Sequence, residues 1–348
     1  MYILDPVYYL CKPEKRADLL SISKQIAESQ GVSQVQVIFD MIGSAVKYGT
    51  MWTEYGDLGF YFRSPENRKS FITTFYNFKL YDKINKQSER KIFHDKICFL
   101  KKFSEYIKRD WVSTEDHSDD EVLFFLQTHK NIVAKASGGD SGKEVEVINS
   151  KKDSDLYDLL NYIKEKQYNL IEEQIYNHPA MNPLHPGSLN TVRIVTLRTD
   201  QSVEFLFAGI RVGAKDSKID NISQGGKVAS LDLLTGKIAS PFYSKASSHS
   251  TFVPDKEDRE LMGFQLPCWN QVTETVKKAA MVVPEIRIVA WDIAITENGV
   301  DLVEGNESFG SVIMQLACSH TEYGLKPKLE NILNNGGING HCRHKIKS

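Results

Sequence analysis

Residues 290–306 read AWDIAITENGVDLVEGN, from Ala290 to Asn306. Two short apolar-alternating runs flank Glu297-Asn298-Gly299, a strong signal for a tight hairpin turn. Each strand carries oxygen donors at the same end. Asp292 stands on the first, and Glu304 and Asn306 stand on the second. Side chains alternate along a strand, so Glu304 and Asn306 share one face. Two carboxylates and an amide form a hard oxygen set suited to Mg²⁺ bridging phosphate oxygens. The alternative is a hairpin whose acids merely face water. The apolar residues around both acids weigh against it, because a buried acid needs a partner.

Upstream, Asn131-Ile-Val-Ala-Lys135 reads as a strand ending in a lysine, followed by Ala136-Ser137-Gly138-Gly139-Asp140-Ser141-Gly142-Lys143. The glycines expose backbone N–H groups, and the lysine adds a cation, a combination suited to a polyphosphate. Glu144 stands where a Walker A loop needs Ser or Thr. The same residues also read as a plain hairpin turn. Between loop and hairpin lie two strands that carry arginines among apolar residues, Arg193 in Thr191–Arg198 and Arg211 in Val203–Arg211. Such arginines need anionic partners, either carboxylate or phosphate. Asn221, Gly225-Gly226 and Lys227 follow, and taken singly they are turn chemistry.

The chain divides in texture. From Pro13 to about His129 the apolar spacing is helical, with helices expected at Pro13–Ala27, Ser33–Lys47, Ser64–Leu80, Lys91–Ile107 and Asp119–Thr128. The second half is strand-rich, with a helix expected at Asp153–Lys166 and a short apolar run at Leu170-Ile171. Beyond Gly324 an Asn/Gly-rich and then basic stretch reads as a loose tail. With 43 basic and 45 acidic residues in 348, the net charge of -2 draws the protein neither to nucleic acid nor to an acidic membrane. Five scattered cysteines suit reduced thiols, and no apolar run approaches the ~20 residues of a membrane span. With no signal-peptide pattern at Met1, the expected compartment is the cytoplasm.

The order of these features resembles the ATP-grasp superfamily from about His94 to Gly310. His94-Asp95-Lys96 is similar to the Asp-Lys that opens the grasp region, and Leu170-Ile171-Glu172-Glu173-Gln174-Ile175 to its hinge strand. His178-Pro179, Asn190–Arg193, Gly225–Lys227, Trp291–Ile293 and Glu304–Asn306 more closely resemble the sugar-transfer-associated ATP-grasp proteins. Glutamate-ligase-like motifs run through the same region. The resemblance implies an α+β ATP-grasp fold, two α+β subdomains gripping ATP, preceded by a mainly helical N-terminal region. Its boundaries would be a helical region 1–90, an N-subdomain with the glycine loop 91–175, a C-subdomain with the metal and phosphate site 176–324, and a flexible tail 325–348.

It also implies roles. Lys135, Ser137, Gly138 and Gly139 would hold phosphates, and Glu172, Glu173 and Ile175 would line the adenine end. Asp292, Glu304 and Asn306 would bind two Mg²⁺ ions. Arg193, Arg211, Asn221 and Lys227 would form the catalytic set. The implied activity is an ATP-dependent carboxylate–amine ligase that forms an amide through an acyl phosphate and releases ADP and phosphate. Its substrates would be a small carboxylate and an amine, such as an amino acid and a sugar or nucleotide sugar, in bacterial polysaccharide or glycan-precursor modification. The rivals are an ATP-grasp phosphotransferase acting on a hydroxyl and a non-catalytic nucleotide-binding module. One departure is plain: Ala290 stands where many ligases of the superfamily carry an arginine. His178 and His185 could touch substrate or shape a loop, and Trp52, Tyr55, Tyr61 and Phe62 could stack on a sugar or fill a core.

Overall fold

The computed structural model describes residues 12–138, 145–151, 155–213, 225–245, 252–254, 260–316 and 323–336. Asn221, Gly139, and the His341–His344 tract of the tail lie outside them.

Helices come first: α1 Pro13–Gln30, α2 Gln34–Tyr48, α3 Trp52–Asp57, α4 Pro65–Lys69, α5 Thr74–Ile84, α6 Lys91–His94 and α7 Lys96–Lys102. Proline at the first turn suits α1 and α4, and Gly31 and Gly49 close α1 and α2 in the left-handed conformation. The first three helices bury Met41, Trp52, Tyr55 and Phe60 in one core. Trp52 and Tyr55 are therefore packing residues.

The helix expected at Ser64–Leu80 is split. The Ser70 hydroxyl donates to the Asn67 carbonyl at 2.6 Å, while the Ile72 N–H and C=O both pair with the Gln315 side chain at 2.8 Å. An amide that takes both backbone groups holds this residue outside a helix. The expected Lys91–Ile107 helix also breaks, at Asp95. That residue is extended, its carboxylate accepts the Cys98 N–H at 3.0 Å, and its backbone bridges Gly138. The cap starts α7 afresh and ties it to the start of the glycine loop.

The first sheet has the order β1-β4-β2-β3, formed by β1 Trp111–Ser113, β2 Asn131–Lys135, β3 Val145–Asn149 and β4 Leu170–Glu173. Helices α8 Asp119–Thr128 and α9 Leu156–Glu165 cover one side, burying Ile132, Ala134 and Ile171 beneath Val122, Leu126 and Leu160.

The second sheet is larger and antiparallel, in the order β11-β10-β5-β6-β7-β8-β9. Its strands are β5 Thr191–Arg198, β6 Val203–Val212, β7 Lys227–Ser230, β8 Tyr243–Lys245, β9 Phe252–Pro254, β10 Ile288–Thr296 and β11 Gly299–Asn306. One face packs Val192, Ile194, Ile210 and Trp291 against α10, Trp269–Ala279. There the Trp291 indole N–H donates to Thr196 Oγ1 at 2.8 Å, satisfying its polar end. The other face is divided. Towards one end Val195, Phe207, Ile288 and Ala290 pack under α5 and Leu329. Further along, that face carries the charged residues of the site.

Part of the segment expected as a loose tail is helical. α12 spans Lys326–Asn335 after α11, Ser311–Leu316. Leu329 is fully buried and the Lys328 ammonium donates to the Leu206 carbonyl at 3.1 Å. Leu329, Ile332 and Leu333 carry the i, i+3, i+4 spacing of a helix face, a short stripe masked in the sequence by the Asn/Gly-rich stretch that follows it.

Candidate active site

Cross-strand partners in a sheet point to the same side. Asp292 stands opposite Glu304 on one neighbour and Arg193 on the other, and Ala290 stands opposite Asn306. Arg193 pairs with Gly209, two residues from Arg211, so Arg211 joins the same face. The sheet therefore gathers Arg193, Arg211, Asp292, Glu304 and Asn306 from four adjacent strands. Lys227 is different. It stands opposite Val212, whose side chain is in the core beneath the other face, so the register does not place Lys227 with the arginines.

The electrostatics follow from the burial. Asp292 is 2% exposed. It accepts from Arg193 at 2.7 and 2.6 Å and lies 3.2 Å from Arg211. Burial alone would raise its pKa, but the two guanidinium groups outweigh it and hold the carboxyl below its ordinary value. Glu304 goes the other way. Burial pushes it up and the Asp292 carboxylate adds to the shift, while Lys135, Lys96 and Arg193 offset part of it. A carboxylate pair in this state fits a divalent cation. The donors are hard oxygens, and an ion would relieve the repulsion that raises Glu304.

Facing this surface is the side of the small sheet away from α8 and α9, where α7 covers Leu170. Lys135 ends β2, and its ammonium is paired with Glu172 Oε2. Glu172, 3% exposed, also accepts from Arg109 Nε at 2.8 Å. Lys96, Lys135, Glu172, Arg109 and Glu304 line one small cavity between the sheets. The start of the glycine loop is fixed from two sides. Ser137 N–H donates to Asn169 Oδ1 at 2.6 Å, Asn169 Nδ2 returns a bond to Ser137 Oγ at 2.8 Å, and the Lys96 N–H donates to the Ser137 carbonyl at 3.0 Å. Gly138 has open space where a Cβ would stand, leaving its backbone approachable.

The hinge crosses between the sheets. Gln174 N–H donates to the Asn131 carbonyl on β2, and His178 N–H to the Ile295 carbonyl on β10, with Ile175 between these anchors. Glu172 and Glu173 diverge, as neighbours on a strand must. Glu172 turns into the cleft to Arg109 and Lys135. Glu173 lies on the far side with Asp110 and His129, its Oε2 accepting the Asp110 N–H at 3.3 Å. Of the two side chains, Glu172 is the one that lines the cleft. The two histidines shape loops: His178 Nδ1 accepts from Ala180 N–H and His185 Nδ1 from Ser188 N–H, both at 3.1 Å.

Sequence reasoning gave no role to Arg109, Lys96 or Asn169. Arg109 and Asn169 act on partners 63 and 32 residues away, and no local pattern carries such a pairing. Gly305 had a signal without a reason. A Cβ there would come within 2.8 Å of the Phe99 ring and 3.0 Å of Phe93, so the glycine lets β11 approach α6 and α7 closely.

Two antiparallel sheets joined by a hinge, with a lysine-rich cleft on one side and paired carboxylates on the other, define an ATP-grasp α+β fold. The description "Sugar-transfer associated ATP-grasp" belongs to the family whose model matches residues 76–334. The chain is a member of that family. Among solved structures it is similar to N5-carboxyaminoimidazole synthetase from Staphylococcus aureus complexed with ADP, at 13% identity and a TM-score of 0.41 over 66% of this chain and 48% of that one. It is also similar to D-alanine–D-alanine ligase from Helicobacter pylori, at 16% identity and a TM-score of 0.43, over 72% and 63%. A third is the ATP-grasp ligase PsnB complexed with minimal precursor, Mg and ADP, at 12% identity and a TM-score of 0.42, over 77% and 68%. The match thus spans about half of the first relative and less than two thirds of the second. No curated protein matches the chain. Among the described residues, no helix is long and apolar enough to cross a membrane.

Proposed function

We propose that this chain is an ATP-dependent carboxylate–amine ligase that forms an amide through an acyl phosphate, with the cleft between residues 91–175 and 176–324 as its site. The observation that carries the reading is the Asp292–Glu304 pair, two opposed acids bordered by Arg193, Arg211, Lys135 and Lys96. Such a site is matched to a polyanion bound together with divalent cations.

In this reading Lys135, Lys96 and the backbone from Ser137 to Gly139 hold the phosphates, and Ile175 borders the adenine. Asp292, Glu304 and Asn306 would hold Mg²⁺, two ions by the family resemblance, and the metal would supply charge neutralisation at the phosphates. Arg193 and Arg211 orient the γ-phosphate and take up charge as a substrate carboxylate oxygen attacks phosphorus and the bond to ADP breaks. An amine then attacks the acyl carbon, phosphate leaves, and the amine gives up a proton. No side chain of the cleft has to act as nucleophile, so positioning and charge carry the catalysis. Asn221 lies outside the described residues and the register turns Lys227 away from the arginines, so neither carries a step. The family description, sugar-transfer associated, fits a glycan or glycan precursor as one substrate, and the glutamate-ligase-like motifs suggest an amino acid as the other.

The test is interception. With a carboxylic acid and Mg-ATP but no amine, hydroxylamine should trap the acyl phosphate as a hydroxamate while ADP accumulates. A stable phosphate ester, with no hydroxamate from any acid that stimulates ADP release, would overturn the ligase reading in favour of a phosphotransferase.

A further inference from the structure

Arg109 is a buried cation of the cleft with partners on both sheets. Its Nε donates to Glu172 Oε1 at 2.8 Å, on β4 of the small sheet. Its Nη1 donates to Asp301 Oδ1 at 2.8 Å and to the Leu302 carbonyl at 3.0 Å, and Nη2 to the Val303 carbonyl at 3.1 Å, all on β11 of the large sheet. Asp301 is further held by the Arg109 and Lys108 N–H groups at 3.1 and 3.2 Å. One planar guanidinium thus braces both sheets, next to Glu304 on β11 and, through Glu172, next to Lys135 on β2.

Glu172 has two oxygens and divides them. Oε1 takes Arg109 and Oε2 takes Lys135. A nucleotide phosphate at Lys135 would compete for the same ammonium. If Lys135 were the only partner, its departure would leave a buried, unpaired carboxylate, a strongly unfavourable state. With Arg109 on the other oxygen, the carboxylate stays compensated while Lys135 turns away.

We propose that Glu172 stands in for a phosphate beside Lys135, holding its ammonium in place, and that Arg109 is a positioning residue that lets Glu172 release it. The inference rests on Lys135 as a phosphate-binding residue. It predicts a coupling that a purely structural Arg109 would not produce. Removing Arg109 strengthens the hold of Glu172 on Lys135 and weakens nucleotide binding. Removing the Glu172 charge as well frees Lys135 again.

The experiment is calorimetric titration of the full chain with Mg-ADP and Mg-ATP, with fold checked by circular dichroism and gel filtration. Arg109→Gln should lose affinity by about tenfold or more, and Arg109→Gln/Glu172→Gln should recover to within a few-fold of the parent. A double variant that binds no better than Arg109→Gln alone overturns the inference. Should Arg109→Gln not fold, Glu172→Gln in the parent decides: affinity equal to or above the parent supports the stand-in role, and a marked loss contradicts it. Lys135→Ala is titrated alongside. Unchanged affinity there removes the phosphate reading itself, whereas abolished binding with no recovery in the double variant removes only the role of Arg109 and Glu172.

Discussion

Arg193 and Asp292 face each other across β5 and β10, joined by hydrogen bonds of 2.7 and 2.6 Å from one guanidinium edge to both carboxylate oxygens. Arg211 approaches the same carboxylate at 3.2 Å. The acid assigned to a cation is thus neutralised by the groups assigned to phosphate. On the proposed function, binding a metal–nucleotide complex would exchange these partners, carboxylate to metal and arginine to phosphate.

Arg193→Gln should therefore fold but turn over slowly, because the forked donor set is lost where negative charge develops. Loss of one such group typically lowers kcat by about 10²–10³. Arg193→Lys should recover little of it, since an ammonium cannot make the paired contact. ADP release at saturating Mg-ATP is the measurement, and turnover within a few-fold of the parent would remove Arg193 from the reacting centre.

The hairpin at 290–306 and the arginine strands were legible because single charged residues stand among apolar ones, as Arg193 does between Val192 and Ile194, and side chains alternate along a strand. The metal-like donor set was visible for the same reason: alternation fixes which side chains share a face. The breaks at Asp95 and Ile72 were not visible, because each depends on a distant partner, Gly138 for one and Gln315 for the other. Arg109 was hidden likewise. In sequence it is one basic residue among several, and only the folded chain brings Glu172 and Asp301 to it.

Lys135→Ala should largely abolish the rise in melting temperature produced by Mg-ATP in the parent, since bound ligand stabilises in proportion to ln(1 + [L]/Kd). The Lys135 ammonium lies in the cavity with Lys96 and Glu304, where a triphosphate would meet both cations and the metal acid. An undiminished shift in a folded variant would place the phosphates elsewhere.

Glu172 makes stability depend on pH in a defined window. Burial alone would raise its pKa, but Arg109 and Lys135 outweigh that and hold it at about 2, against an ordinary 4.5. A depressed carboxylate contributes stability that is complete above the ordinary value and lost as pH falls through the folded one. The gap in urea midpoint between the parent and Glu172→Gln should be steady from about pH 7 to about pH 5 and narrow below about 4.5. A gap that widened on acidification would mean that Glu172 is held neutral, not ionised.

Gly305 offers a test of how tightly the carboxylate strand is seated. Its place between Glu304 and Asn306 invites a catalytic explanation, but the contact is steric: a Cβ would stand 2.8 Å from Phe99 and 3.0 Å from Phe93. Those rings also pack on Phe103 and Trp291, with Phe93–Trp291 centroids 6.0 Å apart, so they have little room to yield. Overpacking of such a core usually costs about 1–3 kcal/mol. Gly305→Ala should therefore lower stability by that order and push β11 outward, disturbing Glu304 and Asn306 together. Phe99→Leu removes ring atoms at the point of contact, and in the Gly305→Ala background it should cost less than the sum of the two single changes. Additive losses in thermal denaturation, with Mg-ATP binding intact in each variant, would show that the glycine is not required by this packing.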